Sequence, residues 1–278
     1  MSPAYRQRMV RDRRRDESAR EALERRGTVV AGMVSAARKT AAATPARGDV
    51  DEDVRRALAW LERRGSKRNR DGMARYGIVA TKAFGVSMAT MQTLAKQLGR
   101  DQALARALWR SGWYEARMLV AFVGDPARLT AAEMDRWCRD FDNWAICDTL
   151  CFHLFDKTPH AWGKVGQWAR RAPEFEKRAA FALLAALALH DRTTPEARFR
   201  TSLRLIAPAA TDPRNFVKKG VSWALRSIGH RSLTLHTAAS DLAAELARGD
   251  DPTARWVGKD ALRDLSRPAV RQRLEHRK

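Results

Sequence analysis

From Val50 onward, apolar residues recur at three- and four-residue spacing almost without interruption, and runs of β-branched residues are rare. That periodicity puts an apolar stripe on each of a string of amphipathic helices and leaves no segment with the alternation of a strand. An all-α chain is expected. Start signals punctuate the string: Thr130-Ala-Ala-Glu133 has the form of a capping box, and Asp125-Pro126, Thr194-Pro195, Asp212-Pro213 and Asp251-Pro252 set a capping residue beside a proline at a first helical position. The pattern predicts helices at about 51–64, 70–82, 87–99, 101–111, 113–123, 130–140, 142–155, 159–171, 174–190, 195–208, 213–229, 232–248 and 252–266.

The starts at 174, 213 and 252 are about 39 residues apart, close to the period of two-helix HEAT-type repeats. Since one pair of short helices cannot bury its own apolar face, the pairs must stack, giving an α-solenoid whose inner helices line a concave surface. The expected organisation is one HEAT-like repeat domain over 48–278. With 53 Lys+Arg against 32 Asp+Glu, the net charge of +21 makes that concave surface basic and calls for a polyanionic partner. Duplex DNA fits the geometry, whereas a protein-binding scaffold would not need such a charge.

Residues 1–47 carry twelve Lys/Arg, five Asp/Glu and no periodic large apolar residues, so they read as a flexible, solvated basic arm or as a non-specific phosphate-contacting one. Asp12, Asp16, Glu17, Glu21 and Glu24 argue against an acid-poor transit peptide. The longest uncharged apolar run, Ala179 to Leu189, is about half the length needed to span a bilayer. Three cysteines without a C-x-x-C pair suit a reducing compartment. A cytoplasmic, nucleoid-associated monomer is expected, with no membrane contact, metal or cofactor. Cys147, Cys151 and His153 do not make a zinc site, because His153 leaves the face shared by the thiols and a fourth ligand is missing.

Two segments stand out chemically. In Phe141-Asp142-Asn143-Trp144-Ala145-Ile146-Cys147-Asp148, Trp144 and Asp148 are one helical turn apart on one face. An indole attracts cations, and a fixed carboxylate in a partly dry cleft stabilises a developing positive charge. From spacing alone the more usual arrangement is a core indole beside a carboxylate that caps the helix or pairs with a nearby Lys or Arg. In Asn215 to Arg226, Lys219, Trp223 and Arg226 share a face, with Lys218 adjacent. Cations interleaved with an aromatic suit a phosphate backbone beside an exposed nucleotide, though an inward-packed tryptophan on a solvated helix reads as well. Arg178 lies on the helix between these two and would project between Trp144/Asp148 and Trp223 if three successive inner helices present the same face.

Over about residues 70–265 the chain resembles the AlkD-type alkylpurine DNA glycosylases of the DNA alkylation repair family. Met73-Ala-Arg-Tyr76, Phe84-Gly85-Val86, Leu108-Trp109 followed by Tyr114-Glu115-Ala116, Trp144 with Asp148, Lys177-Arg178-Ala179-Ala180, and Lys219 to Arg226 occur in that family's order and approximate spacing. The resemblance implies a HEAT-like all-helical fold and excision of positively charged N7- or N3-alkylated purines. It implies further that Trp144 and Trp223 flank the deoxyribose, that Asp148 is the catalytic carboxylate, that Arg178 holds the phosphate backbone, and that Tyr76 contacts the cleft. Lys219 and Arg226 match motif positions as well, and with the adjacent Lys218 they are expected to contact DNA. The chain departs from the family at Asn143, where a second tryptophan is frequent, and at Gly220 and Ser222, changes that bear on substrate range.

The chemistry agrees with the residues. Alkylation leaves a cationic base that departs readily, so no poised general acid is required, and one carboxylate can stabilise oxocarbenium character on the sugar and orient water. The competing expectation is a non-catalytic HEAT-repeat protein that keeps the surface and binds structured or damaged DNA.

Overall fold

The computed structural model describes residues 49–276, all within one compact unit, and the basic segment 1–47 lies outside the described residues. Helices α1 (Val50–Glu62), α2 (Lys67–Met73), α3 (Met88–Leu98), α4 (Gln102–Arg110), α5 (Tyr114–Val123), α6 (Ala131–Arg139), α7 (Trp144–His153) and α8 (Ala161–Trp168) form the first half. The second half comprises α9 (Glu174–His190), α10 (Glu196–Ser202), α11 (Ile206–Ala210), α12 (Asn215–Gly229), α13 (Leu233–Arg248), α14 (Pro252–Leu265) and α15 (Pro268–Glu275). No strand occurs among the described residues.

The helices form two layers. One layer is the serial stack α3, α5, α7, α9, α12, α14, each helix packed on the next, while α4, α8 and α13 pack against it from the other side. This is the HEAT-like solenoid anticipated from the repeat period. At its centre, α9 is buried on all faces from Ala179 to Ala188, which explains the long apolar run: it is core. Small residues let it approach α12 closely; a Cβ at Gly220 would already touch Arg178 Cγ at 3.5 Å and Phe181 Cβ at 3.6 Å. Each fully buried Phe or Leu of this core contributes roughly 1.5–3 kcal/mol.

Caps account for several boundaries. Thr130 and Glu133 form the expected reciprocal capping box of α6, and Asp251 accepts from Ala254 N at 2.7 Å with Pro252 in the first turn of α14. Other proline signals act differently. Asp125-Pro126 makes a turn in which Asp125 accepts from Ala127 N, Pro195 is itself the residue before α10, and α12 begins two residues beyond Pro213.

The expected helix at 70–82 is formed only at its start, where residues 70–73 close α2. A 3-10 turn at Ala74–Tyr76 ends at Gly77 with φ +70, and residues 76–87 run across the serial stack as an irregular strap. Tertiary bonds hold it: Tyr114 N donates to Lys82 O, and the buried Glu115 carboxylate accepts from the backbone N–H groups of Phe84, Gly85 and Val86 at 2.7–3.2 Å. Phe84 stacks on Trp113, with centroids 3.9 Å apart. Gly85 has φ +82 and a Cβ there would lie 2.2 Å from Ser66 O, so no other residue fits. The expected helix at 195–208 likewise breaks at a 3-10 turn, Leu203–Leu205, since Pro208 cannot donate back to the preceding turn. Helix α15, which opens on Pro268, was not anticipated.

Candidate nucleic-acid interface

Asn143 caps α7 by accepting from Ile146 N at 3.0 Å, which makes Trp144 the first helical residue and sets Asp148 one turn below it. Phe152 follows one turn further on. Its ring stacks on Trp223 of α12, with centroids 4.8 Å apart and planes 9° apart. Trp144, Asp148 and the Phe152–Trp223 stack thus occupy successive turns of a single stripe, all partly exposed.

Asp148 is held by one arginine. Arg178 Nε donates to Oδ1 at 2.9 Å and Nη2 to Oδ2 at 2.7 Å, while Nη1 donates to Phe216 O at 2.6 Å. Burial pushes the Asp148 carboxyl above its ordinary value, and the Arg178 guanidinium, with a smaller contribution from Cys147, pulls against it. The pairing in turn raises Arg178 despite its burial. The carboxylate side chain keeps 17% of its surface accessible.

The strap completes a ring around this pair. Trp144 Nε1 donates to Tyr76 O at 2.7 Å, and Gly77 lies against Phe216, where a Cβ would come within 2.9 Å of the ring. From the strap the path runs to Trp144, along one turn of α7 to Asp148, and through Arg178 and Phe216 back to the strap.

The placement of the anticipated residues is therefore mixed. Trp144, Asp148 and Trp223 come together as one stripe. Arg178, anticipated as a phosphate contact, instead points inward, is 6% exposed and spends three N–H groups on Asp148 and Phe216. The physical reason is the partly buried Asp148 carboxylate, which requires a compensating charge. Tyr76 is 68% exposed and meets Trp144 through its carbonyl oxygen. Lys219 is exposed, Lys218 lies over the Trp256 ring at 5.1 Å, and Arg226 folds back to Ser222 O and toward Asp260. The three cysteines are free and buried.

Phe152 and Phe216 were missed. Phe152 was detectable, since it continues the Trp144, Asp148 series at four-residue spacing. Phe216 contributes a backbone oxygen and a ring face to the strap, for which no residue pattern exists.

A HEAT-like helical solenoid whose inner layer carries a carboxylate between two indoles defines the class of this molecule. The family described as DNA alkylation repair enzyme matches residues 57–265, and the chain belongs to that family. A solved structure, described as "A new family of proteins related to the HEAT-like repeat DNA glycosylases with affinity for branched DNA structures", superposes with a TM-score of 0.65. It is 19% identical over 80% of this chain and 95% of that one, a likeness of fold. A designed armadillo repeat protein in complex with the peptide (KR)4 reaches only a TM-score of 0.33 at 10% identity over 68% of this chain and 80% of its own, too loose to carry an argument. Comparison with curated protein sequences gave no match. Among the described residues no helix is long and apolar enough to cross a membrane.

Proposed function

We propose that the protein is a DNA glycosylase that removes positively charged N7- and N3-alkylpurines from duplex DNA. The observation that carries this reading is Asp148: a partly exposed carboxylate on one stripe with Trp144 and Trp223, paired with Arg178, whose charge opposes the push of burial. As the bond from C1′ to the cationic base lengthens, positive charge grows on the sugar, and the carboxylate stabilises it. Arg178 uses two of about four lone-pair positions on the carboxylate, leaving capacity for a water that attacks C1′. The neutral base departs with the bonding electron pair, and the water proton passes to solvent. Trp144 and Trp223 wall the sugar, with Phe152 backing Trp223. Arg178 is a positioning residue in this scheme, while Lys218, Lys219, Arg226 and Tyr76 contact the DNA.

The test is incubation with methylated duplex DNA and chromatography of the released bases. Free 7-methylguanine is expected, and its absence would sink the reading. A second reading, binding of structured DNA without chemistry, is favoured by one observation: both oxygens of Asp148 are already engaged. The solved structure of similar fold is described as having affinity for branched DNA structures, which suggests the DNA to try. Tight binding of branched DNA with no base release would select it.

A further inference from the structure

The strap presents apolar side chains for which the molecule itself has no use. Five large hydrophobic residues are exposed among the described residues, and the two most exposed, Tyr76 at 68% and Val79 at 73%, lie three positions apart on this one segment. Isolated exposed apolar residues are ordinary, but these sit on a backbone pinned along its length. Tyr76 O accepts from Trp144, Gly77 N and Ile78 N donate to Ala74 O and Met73 O, Ile78 is buried, and Lys82 O accepts from Tyr114 N. Irregular backbone fixed in this way presents Tyr76 and Val79 at little further ordering cost on binding.

The surroundings indicate a partner. Arg63, Arg68, Arg75 and Lys82 are exposed along the strap and the helices before it, and no ion pair engages them among the described residues. Exposed cations in the same stretch of chain as an exposed aromatic and an exposed aliphatic side chain match a nucleic acid whose base stack is open: the cations take phosphates and the apolar side chains cover an uncovered base pair. A continuous duplex offers no such face without first being unstacked.

We propose that the strap is a wedge, stacking Tyr76 and Val79 on the base pair exposed where a DNA helix is interrupted. The inference rests on the DNA-binding reading above and adds to it a preference for interrupted over continuous helices that does not require the Asp148 chemistry.

Affinity is measured for a continuous duplex and for the same duplex lacking one nucleotide, with the full chain and with Val79→Ser and Tyr76→Ala. Because base stacking on an aromatic is sequence-tolerant and substantial, the wild type is expected to prefer the gapped DNA by about tenfold. Val79→Ser is expected to lower that preference severalfold with unchanged affinity for the continuous duplex, and the double variant to abolish it. Both positions are exposed, so thermal unfolding of the variants should match the wild type. Equal affinity of the wild type for both DNAs, or a preference that survives in the double variant, would overturn the wedge and leave DNA binding standing. Failure to bind either DNA would overturn both.

Discussion

Asp148 and Asp135 are carboxylates of nearly equal accessibility, with 17% and 18% of the side chain exposed, and they behave oppositely. Asp135 accepts from Lys164 at 2.6 Å, Trp168 Nε1 at 2.7 Å and Arg171 at 2.8 Å. Burial works against its charge, but the hydrogen bonds from Lys164 and Trp168 and the two cations hold its carboxyl below the usual range. Asp148 has a single side chain as its main compensation, and burial prevails there. The satisfied carboxylate ties α6 to α8 and is finished chemically. The other is left with unspent acceptor capacity beside two indoles, as a group that must respond to charge elsewhere has to be.

If that contrast is right, the two positions should fail in different ways. Asp135→Asn leaves the buried Lys164 and the half-buried Arg171 with poorer partners and should lower stability by about 3 kcal/mol, measured by denaturant unfolding, with little change in excision rate under folding conditions. A stable Asp135→Asn protein would erase the distinction. Asp148→Asn keeps the shape but removes full charge, and should slow single-turnover excision of a cationic alkylpurine by roughly 10- to 1000-fold with DNA affinity nearly unchanged. Equal rates for wild type and variant would break the mechanism.

A finer probe is the acidic limb of the pH–rate profile. Asp148 acts ionised, so activity falls as pH drops through its pKa; Arg178→Met removes the guanidinium that holds that pKa down. The limb should therefore move to higher pH by roughly 1–3 units, and Arg178→Lys should return part of the shift. An unmoved limb would show that Arg178 serves something other than Asp148. The smallest effect concerns the capping box of α6. Burial would raise Glu133, yet Arg106 and Thr130 bring it from 4.5 to about 2. Its stabilisation is thus present above pH 4.5 and lost as pH falls toward 2, a loss that Glu133→Gln should not show in acid unfolding. Thr130→Ala should cost about 1 kcal/mol.

Much of this was legible in local patterns. Thr130 and Glu133 announced α6, Asp251-Pro252 announced α14, and the four-residue spacing of Trp144 and Asp148 placed them on one face. The strap was not legible, because Gly77 and Gly85 say only that the chain can turn, whereas its path is set by Glu115 and Trp144 from distant helices. The carboxylate partner of Arg178 was not legible for a similar reason: its position on α9 follows from spacing, but which groups from other helices meet it depends on how those helices pack.

The ring formed by the strap also bears on how the site comes into being. Helices in a stack of neighbours can zip from any starting point, since each contact closes a short loop. Tyr76 and Trp144 are 68 residues apart, and Gly77 meets Phe216 only after α7, α9 and α12 are already in register. The site is therefore late to assemble and among the first parts to open. Exchange of the Trp144 indole proton would report that opening while the amides of α9 stay protected.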